Sequence, residues 1–149
     1  MKKEHILILV VLAVLLIFMS RSLRSDYPEA HLQVGPEILE VKVAQRSGEL
    51  KRGLSGVREL AENEGMLFIL PNDAKPVFHM KGVLIPLGVA FIDEGGKILG
   101  LESMDPKNPS RLYMAPQGTR YALEVREGWF AKRHVKVGDT IERKRDESS

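Results

Sequence analysis

The sequence predicts a mainly β (α+β) fold: a compact β-sandwich or barrel-like domain with two short helices, preceded by an N-terminal membrane helix. Three observations predict it. Several short runs alternate apolar and polar residues, or are wholly apolar, as strands do. Glycine and proline separate these runs, which indicates turns. An uninterrupted apolar run of 14 residues stands near the start, and the chain of 149 residues suffices for one domain after it.

Residues 1–25 are predicted to be a membrane anchor or signal segment. As a helix, the 14 residues Ile6–Met19 would rise about 21 Å, against a hydrocarbon core of about 30 Å. The positions expected to lie in the membrane include Ile6, Leu9, Leu12, Leu15 and Met19. An uncleaved anchor, a cleaved signal peptide and a soluble core helix are the alternatives. We favour the anchor, because the only small residues for a cleavage site flank an arginine.

Residues 26–36 are expected to be a linker, residues 37–142 a single β-rich domain, and residues 143–149 a charged tail. The domain opens with "EILEVKVA", Glu37–Ala44, whose alternation is typical of a half-buried strand. The following "QRSGELKRGLSG" predicts a short helix, which Ser47 caps and a glycine ends.

Four further runs predict strands in the middle of the domain. They are "GMLFIL" (Gly65–Leu70), "VFHMK" (Val77–Lys81), "LIPLGVAFID" (Leu84–Asp93) and "KILGLESM" (Lys97–Met104). The last two are joined by "EGG", which is a hairpin signal. Pro86 has no N–H to donate, so we expect it at an edge or a bulge. Gly88 is expected at a bend or at a close approach of the backbone.

The C-terminal part begins with a loop of about 13 residues, "DPKNPSRLYMAPQ". The run "TRYALEVRE", Thr119–Glu127, then predicts a strand with Tyr121, Leu123 and Val125 on one face. After it, "GWFAKRH" predicts one or two helical turns. The segment "VKVGDTIE", Val135–Glu142, predicts a last short strand or two.

Composition argues against several classes of site. Residues 1–25 carry a net charge of +3 and the whole chain +2, so the rest sums to −1 and no nucleic-acid interface is expected. The absence of cysteine excludes disulfides, thiolate nucleophiles and iron–sulfur clusters. The four histidines lack metal-ligand spacing, and no cofactor is expected. Four methionines could suggest a Cu(I) site, although core packing is the preferred interpretation: Met66, Met80, Met104 and Met114.

Five segments occur in an order that resembles a known family. They are "LKRGLSGVREL", "EGMLFILP", "FHMKGVLIPLGVAFIDEGGKI", "YALEVREGW" and "VKVGDTIE". Together they resemble the prokaryotic domain-of-unknown-function family 192, also called uncharacterised protein family 0127, over about residues 37–142. The resemblance implies a compact β-sandwich or barrel-like fold, often behind an N-terminal signal or anchor. It implies no biochemical activity.

The chain departs from the typical motif of that family, which reads Phe-Trp-Met-Lys-Asn-Thr and then Ile-Pro-Leu-Asp. The replaced positions are His79 for Trp, Gly82 and Val83 for Asn and Thr, Gly88 for Asp, and Val57 for an Arg. The retained positions are Lys81, Pro86 and Glu124. Three interpretations are open. The protein works through the retained groups and His79, or it has lost an ancestral function, or the missing groups were only structural.

Four residues are the candidates for ligand binding: His79, Lys81, Glu124 and Arg120. In the strand "VFHMK" the side chains of His79 and Lys81 would point the same way, because strand side chains alternate. A neighbouring cation disfavours a protonated imidazole, which suits a neutral base. Alternatively, His79 fills space in the sheet and Lys81 reaches water. Glu124 is expected on one strand face with Arg120 and Arg126, which could pair with it on a solvated surface or at a ligand.

Three functions are weighed from these residues. The first is a membrane-tethered domain outside the cytoplasm that binds a ligand or assists envelope proteins, without catalysis. The second is a small envelope hydrolase or transferase that uses His79, Lys81 and Glu124. The third is a structural partner with an exposed apolar patch. The expected partners are the membrane, through the N-terminal helix, and an envelope protein or small-molecule ligand. The expected location is the cell membrane, single-pass with the domain outside, or secretion after cleavage.

Overall fold

The computed structural model describes Val11, residues 27–72 and residues 74–145. The predicted membrane segment, with Ile6, Leu9, Leu12, Leu15 and Met19, lies outside the described residues apart from Val11, so it stays a prediction. In the part of the chain that is described, no helix is long and apolar enough to cross a membrane.

The described residues form nine strands and two short helices. In chain order they are β1 (Glu29–Val34), β2 (Glu37–Ala44), α1 (Ser47–Arg52), β3 (Glu64–Ile69), β4 (Val77–Phe78), β5 (Leu87–Ile92), β6 (Ile98–Met104), β7 (Tyr113–Met114), β8 (Tyr121–Arg126), α2 (Trp129–Lys132) and β9 (Ile141–Lys144). The prediction of a mainly β domain with two short helices is therefore confirmed.

Seven of the strands form one curled sheet in the order β6-β5-β8-β3-β2-β1-β9. Only the β2–β3 pair in this sheet is parallel. The sheet curls until β9 reaches the β5–β6 turn, where the Ile141 N–H donates to the Gly96 carbonyl at 2.8 Å. A single bridge between Lys97 and Thr140 lies beside this bond. The architecture is therefore a half-barrel, with β4 and β7 as a separate two-stranded ribbon.

Each face of the sheet carries its own apolar core. One core contains residues from both edges of the sheet, such as Ile98 and Ile141, so it fills the concave side of the curl. Leu123 and Val125 of β8 also belong to it, and Tyr121 packs against it, as the predicted face of that strand requires. The other core lies on the convex side, where the β4–β7 ribbon and the residues after α1 cover it.

Alternation along β8 has a direct consequence for Glu124. Because its neighbours Leu123 and Val125 point to the concave side, Glu124 points to the convex side with Ala122. Strand β8 lies between β3 and β5, and Glu124 is directly opposite Met66 on one side and Val89 on the other. Both neighbours are buried and apolar.

Several boundaries differ from those predicted. Strand β1 occupies most of the expected linker, and its Ala30, Leu32 and Val34 do alternate with polar residues. The strand predicted over Val77–Lys81 ends at Phe78, because the chain turns there. Strand β7 forms within the predicted loop, and the last strand begins six residues later than expected, at Ile141 rather than at 135.

Helix α1 also starts differently from the prediction. Its N-cap is Arg46 rather than Ser47. The carboxylate of Glu49 accepts hydrogen bonds from the N–H groups of Gln45 and Arg46, both at 3.0 Å. These bonds satisfy donors that have no partner within the helix. The helix ends at Gly53, whose φ of +46° suits glycine.

Candidate functional site

A cavity of about 310 Å³ opens on the convex side, between the sheet, α1 and the turn after β4. Its walls are mainly apolar side chains: Leu54, Phe68, Leu70, Phe78 and Val83. Exposed basic side chains stand at its mouth: Lys51, Arg52, His79 and Lys81. Glu124 lines it from the sheet, with only 6% of its surface exposed. The cavity thus has apolar walls, basic side chains at its mouth and one carboxyl group, that of Glu124, at its floor.

Glu124 is the most unusual group of this cavity. Within the described residues its carboxyl group forms no hydrogen bond or ion pair with another side chain or the backbone. Burial raises its pKa from 4.5 to about 8, so the group is mostly protonated at pH 7. A protonated carboxyl can both donate and accept a hydrogen bond, and both capacities are unused here.

The aromatic wall of the cavity is continuous with the core beneath it. The ring of Phe78 lies 5.7 Å from that of Phe68, edge to face, and 5.6 Å from that of Phe91. Phe78 comes from the β4–β7 ribbon, whereas the other two come from the sheet. The ribbon is therefore held against the sheet by aromatic packing, which fixes one side of the cavity.

Two segments distant in sequence meet at the mouth of the cavity. The N–H of Gly56, just after α1, donates to the carbonyl of Gly82 at 2.9 Å. Glycine suits position 82 for two reasons. A Cβ there would lie 3.1 Å from the Ser55 Oγ, and the φ of Gly82 is +77°, a value that other residues rarely adopt. This contact brings Lys51 and Arg52 of α1 to the same opening as Lys81.

The three permanent cations of the mouth have no ion-pair partner among the described residues. Glu124 is the one carboxyl group among the cavity-lining residues that the structure describes. Because burial keeps that carboxyl mostly protonated at neutral pH, the positive charge of Lys51, Arg52 and Lys81 is not offset within the cavity.

His79 and Lys81 do not project from one strand face, so that prediction was wrong. The chain turns after Phe78, and the Lys81 N–H donates to the His79 Nδ1 at 3.3 Å. A second bond, from the Val83 N–H to the Met80 carbonyl at 3.1 Å, closes the turn. The turn nevertheless brings both side chains to the cavity that Glu124 lines.

The expected pairing of Glu124 with arginine was also wrong. Arg126 stands at the exposed end of β8, and its guanidinium is 3.8 Å from the Glu62 carboxylate. Arg120 lies over the ring of Tyr121, 5.7 Å from its centroid, and lines a different cavity. Both arginines reach other partners, while Glu124 packs between apolar strands. The face of β8 that carries Glu124 is therefore not the solvated or ion-paired surface that the sequence suggested.

The remaining candidates have structural roles. Gly88 lies within β5, and a Cβ there would meet the Phe130 ring at 3.4 Å and the Arg126 carbonyl at 3.8 Å, so no close backbone approach requires glycine at this position. Pro86 precedes β5, and its carbonyl accepts a bond from Glu127. Three of the four methionines are buried in the convex core, whereas Met114 is 76% exposed. No group of three or more His, Asp or Glu side chains that could hold a metal occurs in the described ranges.

Sequence reasoning missed the contribution of α1 to the cavity. Lys51 and Arg52 are the basic last turn of that helix, a pattern that is usually explained by the helix dipole alone. The one available signal was their closeness in sequence to "GLSG", where glycines allow a tight approach of another segment.

Comparison with known proteins identifies relatives but no activity. The model of the DUF192 family, described as "Uncharacterized ACR", matches residues 30–143. A crystal structure of a protein of unknown function from Novosphingobium aromaticivorans has 25% identity and a TM-score of 0.75, covering 80% of this chain and 89% of that chain. A candidate transcription regulator from Sinorhizobium meliloti has 24% identity and a TM-score of 0.75, covering 80% and 97%, and supports the fold alone. No match was found among curated proteins.

Proposed function

The chain belongs to the DUF192 family, and we propose that it is a non-catalytic binding domain whose convex cavity takes up a small organic molecule. The observation that carries this proposal is Glu124, a carboxyl group that is buried, lines a cavity and has no partner among the described residues. A ligand that meets this carboxyl would supply the missing hydrogen bonds. Such a ligand would be held at a fixed place in the cavity by these bonds.

The predicted location is part of this proposal. An uncleaved anchor at residues 1–25 would hold the domain at the outer surface of the cell membrane, and cleavage would release it. An envelope protein that delivers or receives the ligand would then be the natural protein partner.

A small envelope hydrolase or transferase is the second candidate. It is favoured by the convergence of His79, Lys81 and Glu124 on one cavity. A carboxyl that is mostly protonated at neutral pH could serve as a general acid. Against it, the Nδ1 of His79 already accepts the Lys81 N–H, and His79 is exposed.

The test is a screen of small acids, amines, alcohols and amides against the full chain in non-ionic detergent. Methyl resonances of Leu54 and Val83 report on the cavity, while those of Leu112 and Val137, which are 63% and 56% exposed, report non-specific binding. We expect compounds that shift only the cavity methyls and bind more weakly to Glu124→Leu, whose side chain has a similar size but neither donates nor accepts a hydrogen bond. The proposal fails if no compound does so.

Two controls complete the screen. Glu102→Leu changes an exposed carboxyl on the edge strand β6 in the same way and should leave every affinity unchanged. Conversion of any bound compound into a product, lost in Glu124→Gln, would favour the enzyme over the binding domain.

A further inference from the structure

From the charges and shape of the cavity, we infer that the ligand is a small organic anion whose apolar body carries an uncharged hydrogen-bonding group at its far end. This inference rests on the proposed function, since it names the class of molecule that the convex cavity binds. The anionic end would lie at Lys51, Arg52 and Lys81, and the uncharged end would meet Glu124.

The charges of the mouth select the anion. Lys51 and Arg52 come from α1 and Lys81 from the turn after β4, and the Gly56–Gly82 hydrogen bond holds the two segments together. None of the three cations is ion-paired within the described residues. Residues 26–149 have a net charge of −1, so this concentration of positive charge is local. A mouth with one sign of charge attracts the opposite ion and repels its own.

The size and lining of the cavity limit the body of the ligand. A volume of about 310 Å³ is about twice the roughly 150 Å³ of an apolar cavity that holds one benzene molecule. Phe68, Phe78 and Val83 line it and offer no charge to the middle of a ligand. A flat apolar body, such as one six-membered ring with its substituents, would fit within this space against the two phenylalanines.

Glu124 selects the far end of the ligand. A protonated carboxyl donates one hydrogen bond and accepts others, so a hydroxyl or amide satisfies it without a change of charge. An ammonium group would have to pass the three cations of the mouth. It would also require Glu124 to ionise between Met66 and Val89, where burial opposes the charged form.

Four compounds with one common ring test the inference on the full chain in non-ionic detergent. They are 4-hydroxyphenylacetate, phenylacetate, 4-methylphenol and tyramine. The dissociation constants are measured at pH 7 from the methyl shifts of Leu54 and Val83. We expect 4-hydroxyphenylacetate to bind most tightly, phenylacetate and 4-methylphenol each several-fold more weakly, and tyramine most weakly.

Variants separate the two ends of the ligand. In the double variant Arg52→Gln/Lys81→Gln, the two anions should bind about fivefold more weakly, while 4-methylphenol is unaffected. In Glu124→Leu, which has no hydrogen-bonding group at this position, 4-hydroxyphenylacetate should lose its advantage over phenylacetate. The charge control is Lys107→Gln, an exposed lysine outside this cavity, and it should change nothing.

The inference would be overturned if 4-methylphenol or tyramine bound as tightly as 4-hydroxyphenylacetate, or more tightly. It would also be overturned if none of the four compounds bound. The proposed function is judged separately, because it fails only if the broader screen yields no compound that depends on Glu124. Anion affinity that is unchanged in Arg52→Gln/Lys81→Gln would also overturn the inference, since the anion would then lie elsewhere.

Discussion

Raising the pH from 6 to 8 should destabilise the fold by about 2 kcal/mol through Glu124 alone. The pKa of this carboxyl is 4.5 when it is solvated and about 8 in the fold, because burial disfavours its charged form. Between these two values the folded chain binds more protons than the unfolded chain does. The free energy of unfolding therefore falls as the pH rises through this window.

The magnitude follows from the two pKa values. Where the carboxyl is protonated in the fold and ionised in the unfolded chain, the slope is about 1.4 kcal/mol per pH unit. The slope decreases as the pH approaches 8, which leaves about 2 kcal/mol between pH 6 and pH 8. Four other charged or titratable groups line the same cavity: Lys51, Arg52, His79 and Lys81. They are present in both the wild type and Glu124→Gln, so comparing these two proteins isolates the contribution of Glu124.

The assay compares the wild-type chain with Glu124→Gln, whose side chain has a similar shape and does not titrate. Guanidinium unfolding is followed by the fluorescence of Trp129, the single tryptophan of the chain, which is 2% exposed in the fold. The stability of the wild type relative to the variant should drop by about 2 kcal/mol from pH 6 to pH 8. A constant difference, or one that grows in favour of the wild type, would refute the burial of an unpaired carboxyl.

Three substitutions test the rest of the fold by the same unfolding assay at pH 7. Phe78→Ala removes a half-buried ring that joins the ribbon to the sheet, and should cost about 2 kcal/mol; no loss would mean that the ribbon is not held by this ring. Gly96→Ala forces a side chain against the Ile141 carbonyl at a positive φ, and should cost about 1–3 kcal/mol; an unchanged stability would contradict closure of the curl at that bond. Glu62→Gln removes the carboxylate charge that Arg126, Lys132 and Arg133 approach, and should leave the stability almost unchanged because this carboxylate is exposed. A clear loss of stability would show that these surface ion pairs stabilise the fold strongly.

The sequence was informative wherever the pattern of one segment decides its structure. The alternation of Glu37–Ala44 and of the residues around Leu123 correctly indicates strands β2 and β8, and the glycines of "EGG" correctly indicate the β5–β6 hairpin. The family resemblance was also correct, and the matched region extends further towards the N-terminus to include nearly all of β1.

The site depended on contacts between distant segments, which local patterns do not reveal. The expected partner of Glu124 was an arginine on its own strand, yet Arg126 reaches Glu62, a residue 64 positions before it in the chain. The basic mouth forms where the segment after α1 meets the turn after β4, through the hydrogen bond from Gly56 to Gly82. The alternation along β8 predicts that Glu124 and Leu123 point to opposite faces of the sheet. It could not show that both neighbouring strands place apolar residues beside Glu124.

The ¹³C resonance of the Glu124 carboxyl, followed through a pH titration with and without 4-hydroxyphenylacetate, is the decisive measurement. The free chain should titrate at a pKa of about 8, and the bound compound should shift both the resonance and its midpoint. A titration near 4.5 that ignores the compound would mean that Glu124 is solvated or already paired, and the cavity would lose its role as a binding site.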